Sequence, residues 1–150
     1  MRKLVADAGL QDRIEVESAG TGSWHLGEAA DSRARATAAA RGVKLNGKAQ
    51  QFTEADFDRL DYILVMDVAI RNALGRLAPS DAAREKLHLL RTFDPDSEPG
   101  AAVPDPYYGG VDGFEDVFDI CDRACRGFLS YLRETHQLPD DRDRSPDPRR

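Results

Sequence analysis

Cysteine is almost missing from this chain: among 150 residues only Cys121 and Cys125 carry a thiol. They stand four apart in a stretch of helical periodicity, where side chains are neighbours but rarely reach disulfide geometry, so reduced, buried thiols are expected. Histidine is as sparse. His25, His88 and His136 are scattered without the pairing that zinc sites show, so neither a metal nor another cofactor is expected. Positive charge is in deficit too, with 21 Lys and Arg against 27 Asp and Glu and a formal net charge of -6. General affinity for nucleic acid or an anionic membrane needs a positive field and is not expected, although a local basic site is compatible with this balance. No run approaches the roughly 18 apolar residues of a spanning helix. The start, Met1-Arg2-Lys3-Leu4-Val5-Ala6-Asp7, has no apolar stretch behind its basic pair, and the protein reads as cytoplasmic. No Gly/Ser-rich linker interrupts the middle, which with 41% hydrophobic residues describes one domain with a real core.

What is present alternates strand and helix signals. Arg2 to Ala8 fit the last turns of a helix that Gly9 closes, although nothing before them starts one. Arg13 to Ser18 alternate apolar and polar like a strand, and a glycine-rich loop follows over residues 19–27, with Trp24 alone in it. Asp31 or Ser32 caps an alanine-rich helix running to Arg41, its arginines read as a solvated face and Gly42 as its stop. Thr53 caps a short helix. Tyr62-Ile63-Leu64-Val65-Met66 suits a buried parallel strand that Asp67 ends, and Leu87 to Leu90 suit another after two helices. From Phe114 the apolar positions Val117, Phe118, Cys121, Cys125, Phe128, Leu129 and Leu132 form the stripe of a long helix, which gives both cysteines a packing role. The pattern is α/β. Residues 1–136 are expected to form the domain, and residues 137–150, nearly all charge and proline, a disordered tail.

One hexapeptide carries chemistry. Asp105-Pro106-Tyr107-Tyr108-Gly109-Gly110 sets a lone carboxylate beside a rigid proline and two aromatics, which is how a fold presents a proton donor next to a flat, stackable substrate. By itself the segment reads equally as a surface turn, since Asp-Pro opens turns and Gly-Gly ends them.

Three blocks decide between these readings. Residues 17–25 (Glu17-Ser18-Ala19-Gly20-Thr21-Gly22-Ser23-Trp24-His25), residues 57–67 and residues 103–110, followed by the long helix, together resemble the low-molecular-weight protein-tyrosine phosphatases. The resemblance covers Arg2 to about Arg133. It implies a three-layer α/β sandwich with a four-stranded parallel sheet flanked by helices. It also implies hydrolysis of a phosphotyrosine protein or a small aryl phosphate through a phosphocysteine intermediate. Matched by motif, Asp105 is the general acid that protonates the leaving phenolate and then serves as base toward water. Trp24, Tyr107 and Tyr108 match the aromatic walls around the ring, and Ser18 matches a hydroxyl that braces the phosphate loop.

The family's nucleophile lies in a Cys-x5-Arg loop after the first strand, and that pattern does not occur here: six beyond Cys121 is Gly127, and six beyond Cys125 is Tyr131. The expectation is a chain without nucleophile, phosphate loop and first, central strand, and so without activity by itself. The alternative is a catalytically silent, phosphatase-like binding module. Arsenate reduction on a similar fold would need mobile redox cysteines, which the helical pair fits poorly. Relatives usually carry a histidine and an arginine in place of Gly47 and Gln50, which predicts weakened loop support, and Ala69 and Ile70 replace residues that are often polar. Loss of a central strand would leave buried amides unpaired at about 1 to 3 kcal/mol each, against a net stability of about 5 to 15 kcal/mol. The remedies to expect are insertion of a partner strand, self-association through exposed strand edges, or a true start codon upstream of Met1.

Overall fold

Local signals set most of the elements. In the computed structural model, which describes residues 1–22, 26–106 and 111–139, the order is α1 (Arg2–Asp7), α2 (Ser32–Ala40), α3 (Asp56–Arg59), β1 (Ile63–Val65), α4 (Val68–Leu77), α5 (Asp81–Arg84), β2 (Leu87–Leu89), a 3-10 turn (Leu90–Phe93) and α6 (Val111–His136). Side-chain oxygens start three of the helices by accepting otherwise unpaired N–H groups. Asp31 accepts from Arg33 N–H at 2.8 Å, Asp67 from Ile70 N–H at 2.8 Å, and Ser80 from Ala83 N–H at 3.0 Å. Gly9 and Gly42 follow α1 and α2 at φ of 68° and 76°, a left-handed turn that stops a helix at no steric cost in glycine. Thr53 does not act as the cap expected of it. The carboxylate of Asp56 instead accepts the Thr53 N–H at 2.9 Å, and α3 begins at Asp56.

The sheet is parallel, with Ile63 opposite Leu87 and Val65 opposite Leu89. Strand alternation sends successive side chains to opposite faces and so builds three layers. Ile63, Val65, Leu87 and Leu89 pack with Leu74 of α4 and Phe57 of α3 on one face. Leu64 turns to the other face, with Leu90, Val103 and Ala124 of α6. Among the described residues the sheet has two strands, where the resemblance implies four. The strand expected over Arg13 to Ser18 forms no ladder. Its alternation is still visible, because Ile14 and Val16 are half-buried against the cluster of Val5, Leu10 and Leu129 while Glu15 and Glu17 face solvent. What is missing is a neighbour at ladder distance, since pairing and not alternation makes a strand part of a sheet.

Helix α6 is the spine. Its stripe buries Phe114, Ala124, Phe128, Leu129 and Leu132, while Val117, Phe118, Cys121 and Cys125 are half-buried. The arginines around α2 are less idle than a solvated face. Arg41 bonds Glu115 at 2.7 Å and Asp119 at 2.6 Å, and the Arg33 guanidinium lies 4.7 Å from the centre of the Phe114 ring. Against the 3-10 turn α6 comes so close that a Cβ on Gly127 would stand 1.8 Å from the Phe93 carbonyl oxygen.

Candidate active site

The loop that carries Asp105 is pinned at both ends. Val103 is buried, and its N–H donates to the Met66 carbonyl at 2.8 Å, where the chain leaves β1. Next to it the Ala102 carbonyl accepts from Arg91 Nη1 at 2.8 Å. On the far side Pro106 lies against Gly113 in the first turns of α6, where a Cβ would come within 3.6 Å of the Pro106 carbonyl. Asp105 is exposed between these anchors. Residues 103–106 therefore set Asp105 at the carboxyl end of β1, the end at which open α/β sheets bind ligands. Trp24, Tyr107 and Tyr108, the aromatic walls that the sequence points to, lie outside the described residues.

Ser18 ends the extended segment that lies across from β1, and three side chains hold that segment with four hydrogen bonds. Arg2 Nε donates to the Val16 carbonyl at 2.9 Å, and Gln50 Nε2 donates to the Ser18 carbonyl at 2.9 Å. Arg59 grips the Glu17 carboxylate with two bonds of 2.7 and 2.8 Å, and its second amine also reaches Asp56 at 2.7 Å. The hydrogen bonds from Arg59 hold both carboxyl groups below the ordinary carboxylate range, and the two carboxylates in turn raise the guanidinium. Just beyond, Gly20 N–H donates to the Gln50 carbonyl at 2.8 Å and Phe52 N–H to the Gly20 carbonyl at 2.8 Å. Gln50 thus braces the main chain at Ser18 through its side-chain amide. Sequence reasoning missed Gln50 and Arg59 in these roles. No local signal marks them, because their partners are 32 and 42 residues away.

Between this segment and β1 runs a cleft of about 2070 Å³, lined among others by Val16, Ser18, Tyr62, Leu64, Leu90 and Phe128. In a parallel pair alternate residues bond each neighbour, so Leu64, flanked by the two residues that face β2, turns its N–H and C=O toward the cleft. Ser18 lines the cleft and Asp105 does not. Cys125 lines it too, but burial raises its thiol, and burial pushes Cys121 up to about 11. Both cysteines are free, as their spacing predicts, and neither environment favours a thiolate. The described residues hold no cluster of three metal-ligating groups and no helix long and apolar enough to cross a membrane.

A family model described as low molecular weight phosphotyrosine protein phosphatase matches residues 1–138. The chain is 46% identical over 134 residues to a low molecular weight protein-tyrosine-phosphatase of Streptomyces coelicolor, covering 89% of this chain and 82% of the relative. It is 35% identical over 129 residues to the low molecular weight phosphotyrosine protein phosphatase of Homo sapiens, covering 85% and 80%. In three dimensions it is similar to a protein tyrosine phosphatase from Entamoeba histolytica, with a TM-score of 0.83, 32% identity and coverage of 91% and 86%.

Proposed function

The chain belongs to the low molecular weight phosphotyrosine protein phosphatase family, and from that premise we propose that residues 1–136 are the acid and aryl-binding part of a protein-tyrosine phosphatase. Its substrate is a phosphotyrosine protein or a small aryl phosphate, met in the cytoplasm. Asp105 protonates the leaving oxygen, Trp24, Tyr107 and Tyr108 flank the ring, and Ser18 braces the phosphate loop. The observation that carries this reading is the double anchoring of the Asp105 loop, on Met66 at the end of β1 and on Gly113 of α6. A carboxylate on so fixed a loop loses little entropy when it meets a leaving group. In this reading the nucleophilic thiol is not among these 150 residues, because neither cysteine has an arginine six positions on and both thiols are raised by burial.

Incubated with phosphotyrosine peptide or an aryl phosphate, the chain should show no vanadate-sensitive hydrolysis, and turnover above background would remove the claim of a missing nucleophile. In a form that also carries a Cys-x5-Arg loop, Asp105→Ala should slow a poor, alkoxide-like leaving group far more than an acidic phenol. Equal slowing of both would take Asp105 out of the acid role.

The cleft favours a second reading, a catalytically silent phosphatase-like module that binds through its open strand edge. A sheet edge with apolar flanks accepts an added strand from a partner or from a second copy. Sedimentation of the assayed sample reports on it: a monomer at every concentration would exclude self-association.

A further inference from the structure

A second pocket lies away from the cleft, where α4 and α5 meet beside β2. It measures about 450 Å³ and is lined by Arg71, Asn72, Gly75, Arg76, Arg84 and Leu87. Helical spacing explains the gathering on α4: Gly75 follows Arg71, and Arg76 follows Asn72, by four residues, so the four form two adjacent rows on one surface. Gly75 leaves the surface hollow, and the stem of Arg84 crosses it, 3.8 Å from where a glycine Cβ would be. Arg84 is oriented by its bond from Nε to the Gly75 carbonyl at 3.1 Å and by a contact with Asp81.

The charge here is one-sided. Among the described residues three guanidinium groups line the pocket and no carboxylate does. Asp81, which pairs with Arg84, keeps its side chain 95% exposed. Arg71 and Arg76 form no ion pair among the described residues, whereas Arg41, Arg59 and Arg123 find carboxylates. Arg76 in the last turn of α4 complements the helix dipole. That role does not extend to Arg71, half-buried near the N-terminal end of the helix. Forked guanidinium donors match phosphoryl oxygens in pairs, and a low-dielectric wall such as buried Leu87 strengthens the match. The volume lies in the range of small-molecule sites of about 300 to 1000 Å³, more than a bare ion needs.

We propose that this pocket binds a small phosphorylated molecule. Arg71, Arg76 and Arg84 hold the phosphoryl oxygens, Asn72 adds an amide donor or acceptor, and the carbon frame lies against Leu87. The site is separate from the Asp105 loop and needs no nucleophile, so it stands whichever reading of the activity holds.

Titration of the isotope-labelled chain with pyrophosphate at fixed ionic strength, followed by NMR, tests it. The amides of Asn72, Gly75 and Arg76 should shift together and saturate, and Arg71→Gln and Arg76→Gln should each weaken binding about tenfold, as loss of a charged hydrogen bond does. Arg13→Gln, which removes an equal charge outside the pocket, should leave the affinity unchanged. Saturation centred on residues 18–21 in place of α4, or equal weakening by Arg13→Gln, would overturn the proposal. Sedimentation of the chain with phosphoinositide vesicles that Arg71→Gln abolishes would replace the small molecule with a lipid headgroup.

Discussion

At the scale of single residues, environment decides which reactive side chains can react. Cys121 and Cys125 sit on the packed face of α6, and desolvation, which penalises the thiolate, raises both thiols, Cys121 to about 11. Only the thiolate is nucleophilic, so alkylation of Cys121 by iodoacetamide near neutral pH should run on the order of a hundredfold slower in the folded chain than in urea, and that of Cys125 should also be slowed. Equal rates followed by mass spectrometry would contradict the burial. The packing role of these cysteines was legible in their spacing, since both fall on the apolar stripe. The signal behind the proposed role of Asp105 was local, because turn chemistry and aromatic neighbours fall within six residues. Its anchors were not, since Met66 and Gly113 approach it only through the fold.

At the scale of elements, the contact of α6 with the 3-10 turn is the closest approach at any described glycine. Gly127 has its missing Cβ aimed at the Phe93 carbonyl, 1.8 Å from the oxygen and 2.9 Å from the carbon. Alanine here gains about 1 kcal/mol of helix propensity but meets backbone that cannot rotate away, and overpacking of this kind costs about 1 to 3 kcal/mol or more. Gly127→Ala should therefore lower the melting temperature, by about 2 to 4 °C for each net kcal/mol, in a thermal melt followed by circular dichroism. A rise in melting temperature would show that α6 can slide off the turn. In the sequence Gly127 reads as an ordinary helix position, because the closeness belongs to two elements and only one is local.

At the scale of the whole molecule, exposed ion pairs tie distant segments together. Arg59 joins residue 17 to α3, and Arg41 joins α2 to α6. The carboxyl groups of Glu17, Asp56, Asp31 and Asp119 are lowered, each first by a hydrogen bond from an arginine. A folded value below the unfolded one means stability that is complete above the ordinary carboxylate range near 4 and lost as pH falls through the folded values. Glu17→Gln should be less stable than the parent near neutral pH by a modest amount, as exposed pairs are. That margin should close on acidification, read from urea midpoints at neutral and acid pH. A margin that persisted in acid would assign the loss to packing instead of charge.

The sequence by itself determined the helices and their stops, the two apolar strands, the fate of the cysteines and the blocks that mark the family. Each of these is written within one turn, one alternating run or one short motif, so neighbouring residues suffice to specify it. Only the tertiary structure decided that residues 13–18 pair with no strand among the described residues, that Gln50 and Arg59 brace the segment at Ser18, and that three arginines share a pocket with Leu87. The reason is distance along the chain: these features depend on groups that meet only after loops close, and a pairing across 32 or 42 residues leaves no periodic trace.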